Sequence, residues 1–298
     1  MSIKTKNKSE LSDLNFALLM ALPVLFFLLF VVIYPLGYAF WMSMHKVTMF
    51  GGLKFKFIGL TNYYKVLVNE KFWDAFFVSI RFTLESTLLT IFLGLVIAII
   101  LSKNFKYKTF IRSIVIIPWS ISLYGCGIMW AQIGRGQTGL LTAIYHLFGG
   151  EDKVNLISRS HVIELLALGN AWNLSPLVAF FLLSNISTIP RRLYDLADID
   201  QMSNFKKFWH VTFPPLRFTV FVFTCITIVM SLKLHDFIYT LSQGGPGRVS
   251  STLTYEIYKL SFKNMQLGLG SAMSFYLLFL IVGSTLMLYW LWGRRVEK

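Results

Sequence analysis

The densest group of polar side chains inside an apolar stretch is Ser231-Leu232-Lys233-Leu234-His235-Asp236, followed one turn on by Tyr239. An ammonium, an imidazole and a carboxylate so close together supply donors and acceptors, and the tyrosine supplies a ring face. Two readings stand. In one, His235, Asp236 and Tyr239 are polar or stacking contacts for a solute passing between helices. In the other, the group marks a membrane boundary, with Lys233 reaching toward headgroups and Asp236 paired with it. Glu85 follows Arg81 by four residues, a spacing that predicts an ion pair on one helix face.

Enzymatic constellations are not found. The sequence has no Gly-x-x-x-x-Gly-Lys-Ser/Thr run to cradle a phosphate and no His-Glu-x-x-His pair to hold a metal. His45, His146, His161, His210 and His235 are scattered, with His146 and His161 expected in a solvated loop, and they assemble no catalytic set. Cys126 and Cys225 lie in apolar runs and read as small hydrophobes. No catalytic, metal-binding or cofactor-binding role is therefore expected of the chain.

The elements that position these residues must be membrane helices. Of 298 residues, 55% are hydrophobic and only 14% charged, and the mean hydropathy is +0.62, against about 25% charged in a soluble domain. The formal charge of +14 suits basic segments flanking membrane spans and meeting lipid headgroups, so nucleic acid is not an expected partner. Segments 14–44, 75–102, 111–133, 162–187, 216–240 and 271–293 are apolar over the roughly 20 residues a span needs. The expected fold class is all-α, a polytopic membrane bundle of about six transmembrane helices.

Residues 1–13, with Lys4, Lys6 and Lys8, form a basic tail, and the turn 103–112 and the end at Arg294, Arg295 and Lys298 are basic too. These place both termini in the cytoplasm. Lys46, Lys54, Lys56, Lys65 and Lys71 in the long segment 45–74 work against that orientation. Residues 14–298 read as one membrane domain.

The polar stretch between 188 and 215 is patterned. After Pro190, Leu193, Leu196 and Ala197 fall at helical spacing, with Asp195 and Asp198 on another face. Ser203 is placed to cap a second short helix that carries Phe205, Phe208 and Trp209 and closes at Pro214. Two short amphipathic helices make a stiff knob. Aromatics and lysines would suit a lipid headgroup layer, whereas Asp195, Asp198 and Asp200 favour basic groups on a docked protein.

This stretch resembles the cytoplasmic loop of ABC-importer permeases, whose pattern is Glu-Ala-Ala, three residues, Gly, and a second helix ending at Leu-Pro. Leu193 to Asp200 and Phe208 to Pro214 fill the corresponding places. Leu241-Ser242-Gln243-Gly244-Gly245-Pro246 looks like the Leu-Thr-x-Gly-Gly-Pro element of the carbohydrate-uptake subfamily, the maltose and glycerol-phosphate type. Trp172-Asn173, Pro176, Ile189-Pro190, Arg112, Pro118-Trp119 and Trp130 match as well, so that the likeness covers about 72–293. Two departures stand out: Asp195 replaces the glutamate, and Gln201 replaces the glycine, so the bend loses glycine's access to positive φ.

The resemblance implies a permease subunit of an importer in a prokaryotic cell membrane. Its partners would be a second permease, a pair of ATPase subunits that hold ATP and magnesium, an extracytoplasmic solute-binding protein and a small carbohydrate, besides membrane lipid. The docking loop, 190–214, would present Arg191, Tyr194, Asp195, Ala197 and Asp198 from its first helix, and Asp200, Gln201, Phe205 and Phe208 beyond it. Asn173, Ser175 and Ser231 fall on the spans that line the path in that family, with Trp172 and Phe180 as aromatic faces sharing a helix side with Ser184. Trp172 and Phe180 equally suit packing or an interfacial belt. Gly244, Gly245 and Pro246 would form an outer turn that meets the binding protein, followed by a re-entrant or surface segment over 252–266. An ion-coupled secondary transporter is the alternative, and it requires acidic residues deep in the spans.

Overall fold

The computed structural model describes residues 13–48, 52–136 and 138–294. Lys4, Lys6, Lys8, Arg295 and Lys298, on which the terminal assignments rest, lie outside them. In chain order the elements are α1 (Asn15–Ser43), β1 (His45–Thr48), β2 (Lys54–Phe57), α2 (Thr61–Leu67), α3 (Glu70–Ser102), α4 (Lys108–Ser120), α5 (Leu123–Gly134) and α6 (Leu140–Leu147). There follow α7 (Val162–Thr188), α8 (Arg191–Ile199), α9 (Asn204–Leu232), α10 (Asp236–Leu241), α11 (Leu253–Tyr258) and α12 (Leu267–Gly293). Five of these helices are long and apolar enough to cross a membrane, and six spans result when α4 and α5 count as one.

The all-α expectation holds apart from one hairpin, in which β1 and β2 pair antiparallel with His45 opposite Phe57 and Thr48 opposite Lys54. His146 lies on α6, not in a loop. The centre of the bundle is the α3–α7 pair, helped by Gly94, where a Cβ would come within 2.7 Å of Val178. Close helix approach at small residues is how membrane helices gain packing contact. α7 has 72% of its apolar window buried inside the chain, whereas α1 has 0%. Phe82, Leu166, Phe237 and Ile238 form one core layer, and Ala98, Val178, Leu182, Leu216 and Phe223 form another, with α3 and α7 running through both.

Three expected boundaries are corrected. The segment 111–133 is not one straight span, because α4 and α5 meet at 97°. Pro118 sits in the last turn of α4, and Ile121 and Ser122 are extended, so the chain leaves the helix there. Ser122 Oγ then caps α5 by accepting from the Gly125 amide at 3.2 Å. The segment 216–240 is likewise interrupted: α9 ends at Leu232, and α10 begins at Asp236.

At the knob, Pro214 does not close a helix. Residues 204–207 lead through a π-turn over Phe208–Thr212 into the span, so α9 runs unbroken from the knob to Leu232. The wider turn, closed by the Phe213 amide on the Phe208 carbonyl, lets the helix continue into Pro214 and Pro215, which have no amide to give.

Candidate functional site at two helix breaks

The two breaks face one another across α7. Between them lies a cavity of about 550 Å³, lined by Trp119, Ser120, Ile121, Ser122 and Leu123 from the first break, by Asn170, Asn173 and Leu174 from α7, and by Met230, Lys233, Leu234, His235 and Asp236 from the second. Each break frees backbone carbonyls, and in a membrane such groups need an internal partner. Asn173 Nδ2 donates to the Pro118 carbonyl at 2.6 Å and to that of Ile121 at 3.4 Å. Thr254 Oγ1 donates to the Leu234 carbonyl at 2.7 Å.

One turn before Asn173, Asn170 Nδ2 donates to Ser86 Oγ at 2.7 Å and to Ser231 Oγ at 3.2 Å, tying α7 to α3 and α9. His235 and Asp236 meet at 3.1 Å between Nδ1 and Oδ1. The boundary pairing of Asp236 with Lys233 is thus replaced by a pairing with histidine, and Lys233 has no ion-pair partner among the described residues. His235 Nε2 is buried without a hydrogen-bond partner among the described residues. The imidazole stacks on Tyr239 at 5.7 Å and lies 4.8 Å from Tyr258. Burial, followed by Glu256 and the neighbouring phenols, raises the pKa of Tyr255, so that this ring stays protonated beside them.

The residues expected along a path are placed unequally. Asn173, His235 and Asp236 line the cavity. Tyr239 lies beside it against His235, and Ser231 sits behind it in the Asn170 layer. Trp172 instead meets Trp130 edge-on at 6.0 Å in the apolar core. Phe180 packs with the layer around Leu182, Ser184 is exposed, and the buried Ser175 has its carbonyl against α3 at Gly94. Asn170 and Ser122 were not singled out from the sequence, although Asn170 is spaced three residues from Asn173 and Ser122 follows Pro118 at capping distance from Gly125. Arg81 does pair with Glu85, at 2.7 Å, and it also holds Glu164, whose part the sequence did not indicate.

At the other end of α9, the knob turns several of its residues inward. Ala197 is buried, Tyr194 Oη lies 3.1 Å from Thr212 Oγ1, and Asp198 forms an ion pair with Lys207. Asp198 is therefore committed within the chain, whereas Arg191, Asp195 and Asp200 make no ion pair among the described residues. Leu193 and Leu196 share the helical stripe with Ala197 but are not covered with it: they are exposed, as are Ile199 and Phe205. Phe208 packs on Trp209 at 5.4 Å, and Ser203 caps the second helix through the Lys206 amide as expected. Gln201 occupies the left-handed region at φ +52°, correcting the expectation that the bend forgoes it. The Met202 amide on Ala197 and the Gln201 amide on Asp198 complete the turn a glycine would ordinarily make.

On the remaining side, Gly244 has φ +74°, and a Cβ there would meet Tyr255 at 2.5 Å. Its bare face is thus covered from within rather than left open to an approaching protein. Ser250 Oγ holds the turn by donating to the Gly245 carbonyl at 2.6 Å. Pro246 follows a cis peptide bond, and α11, buried at Leu253 and Tyr255, opens the segment expected to be re-entrant or at the surface.

Two broken spans around a polar cavity, and one unbroken helix leading from that cavity to a projecting knob, are the parts of a transport subunit. The family described as "Binding-protein-dependent transport system inner membrane component" matches residues 90–295. The chain belongs to this family. With its apolar helices, that membership makes it a multi-pass membrane protein. Family relatives include the trehalose/maltose transport system permease protein MalF of Thermococcus litoralis, 31% identical over 97% of each chain. The sulfoquinovosyl glycerol transport system permease protein SmoG of Agrobacterium fabrum is 26% identical over 89% of this chain and 86% of its own. Among solved structures, a chain of a bacterial ABC transporter involved in the import of the acidic polysaccharide alginate superposes with a TM-score of 0.81 over 95% of this chain and 96% of that one, at 18% identity. That likeness gives the fold.

Proposed function

We propose that this permease is one of two membrane subunits of an ATP-driven importer for a sugar or sugar derivative, and that the cavity at the two helix breaks is part of the solute's route. The observation that carries the reading is the continuity of α9, which joins the knob at Asn204 to the cavity wall at Met230 without a break. Docked ATPase subunits, which would bind ATP and magnesium, contact the exposed Leu193, Leu196, Ile199 and Asp195. Their closure displaces the knob, α9 tilts with it, and the cavity wall at Met230 and Lys233 shifts against the fixed asparagines of α7. Polar groups from Asn170, Asn173, Ser120 and Asp236 pair with hydroxyls, and the neighbouring His235, Tyr239 and Tyr258 rings suit the apolar face of a pyranose.

The relatives' names support this reading, since they are permeases of trehalose/maltose and sulfoquinovosyl glycerol systems. α1, with no part of its apolar window buried in this chain, supplies surface for the second permease. The turn at Gly244 to Pro246 faces the solute-binding protein, consistent with a neighbouring fold solved together with a periplasmic protein bound to an alginate pentasaccharide. This orientation puts the knob and both termini in the cytoplasm of a prokaryotic cell. An ion-coupled carrier would draw on Glu85, but Arg81 already holds that carboxylate. Tagging the chain, extracting it gently from native membranes and identifying its companions by mass spectrometry tests the assembly. A stoichiometric ATPase and a second multi-span chain are expected; recovery of the folded chain alone would refute it.

A further inference from the structure

A second cavity, of about 740 Å³, lies apart from the first, between the loop after α5 and the end of α10. Its charged lining residues are Arg135 and Lys153, joined by Thr138, Asn155, Thr240, Ser242 and Gln243, and among the described residues no carboxylate lines it. Neither cation has an ion-pair partner among the described residues, although Glu151 and Asp152 precede Lys153. Arg159 brings a third cation nearby, beside Gly247. Both walls are surface loops, yet both are pinned by buried hydroxyls. Thr142 Oγ1 donates to the Gly136 carbonyl at 2.6 Å and accepts from the Val154 amide at 3.1 Å, holding the two strands of loop that carry Arg135 and Lys153 together. Opposite, the wholly buried Ser250 Oγ, whose proton goes to the Gly245 carbonyl, lies 2.8 Å from Ser242 Oγ, fixing the loop beside Gln243.

Loops ordered in advance lose little freedom when a partner arrives, so a rigid cleft with uncompensated cations is suited to receive an anion. The opening is broad and adjoins the Gly244 to Pro246 turn, which favours a protein protrusion over a small ion. We infer that this cleft is the electrostatic socket of the docking surface and takes a loop of the solute-binding protein that carries Asp or Glu side chains, which pair with Arg135 and Lys153. The inference rests on the importer reading, and it adds which residues select the partner and by what charge.

The test uses the assembled transporter in lipid nanodiscs, titrated with its binding protein, with and without cargo, at low and high salt. Binding by the wild type should weaken with salt, and the Arg135→Glu/Lys153→Glu pair should weaken it at least about tenfold and flatten the salt dependence. The Arg135→Gln/Lys153→Gln pair should fall between, and intact assembly of each variant is checked by size-exclusion chromatography. Wild-type affinity and salt slope in an assembled charge-reversed variant would overturn the socket alone. A loss seen with an acidic cargo but not with the cargo-free binding protein would assign the cations to cargo and overturn it equally. Failure of the wild type to bind any binding protein would overturn the importer reading with it.

Discussion

The knob and the cavity at the helix breaks sit at opposite ends of α9 and are built in opposite ways. The knob is local. Its braces, Tyr194 to Thr212 and Asp198 to Lys207, join residues less than twenty positions apart. The cavity is assembled from afar: Asn173 covers carbonyls 55 and 52 residues away, and Asn170 reaches Ser86 across 84. A local motif can absorb a surface substitution because its neighbours still fold beside it. A site whose backbone depends on distant donors loses several features at once when one donor is removed.

Substitutions sharpen that contrast, and the largest effect belongs to Asn173→Leu. It removes the side-chain donor to the carbonyls of Pro118 and Ile121, leaving Pro118 only the 3.3 Å bond from the Ile121 amide, at a cost of about 1–3 kcal/mol for a carbonyl left unmet. Thermal unfolding in detergent should drop by several degrees, with uptake lost; wild-type stability would mean that the break is not held from α7. Next come Asp236→Asn and His235→Ala, which should raise the uptake KM about tenfold, near 1.4 kcal/mol of binding, while assembly is retained. Unchanged kinetics would return these residues to a boundary role.

At the knob the two aspartates should separate. Asp195→Lys is expected to weaken ATPase association several-fold in a pull-down, since its carboxylate is free for a partner. Asp198→Lys should chiefly loosen the knob by opposing Lys207, seen as faster hydrogen exchange over 191–207. Equal effects on association would erase the distinction between brace and contact. The smallest effect is that of Gln201→Gly, which should stabilise the knob by up to about 1 kcal/mol by relieving a left-handed glutamine. A lower unfolding temperature would show that the glutamine side chain contributes more than the backbone conformation costs.

Much of this contrast is legible in the sequence. Continuous apolar runs reveal spans because a membrane core demands them, and the knob shows through its helical spacing and the Ser203 cap. The breaks are harder to read. Pro118 and the charges from Lys233 to Asp236 announce an interruption, but apolar flanks such as Val115-Ile116-Ile117 and Phe237-Ile238 continue the hydropathy signal across it. Helical spacing places Ala197 with Leu193 and Leu196, yet it cannot tell which flank of so narrow a stripe will meet α9. Asn173 was visible as a polar residue in a span; its bond to Pro118 depends on a 97° bend that composition does not encode. Gln201 shows the converse, a turn whose geometry persists after the favoured residue has gone.

The central claim is that the cavity at the two breaks opens alternately as the knob moves. Lys233→Cys in a Cys225→Ser background, in the complete transporter reconstituted into proteoliposomes, tests it most directly. A membrane-impermeant thiol reagent is applied from either side, with and without ATP and cargo. The account predicts that labelling at position 233 changes sides or rate with the nucleotide state and is slowed by cargo. Labelling indifferent to nucleotide and cargo alike would contradict it.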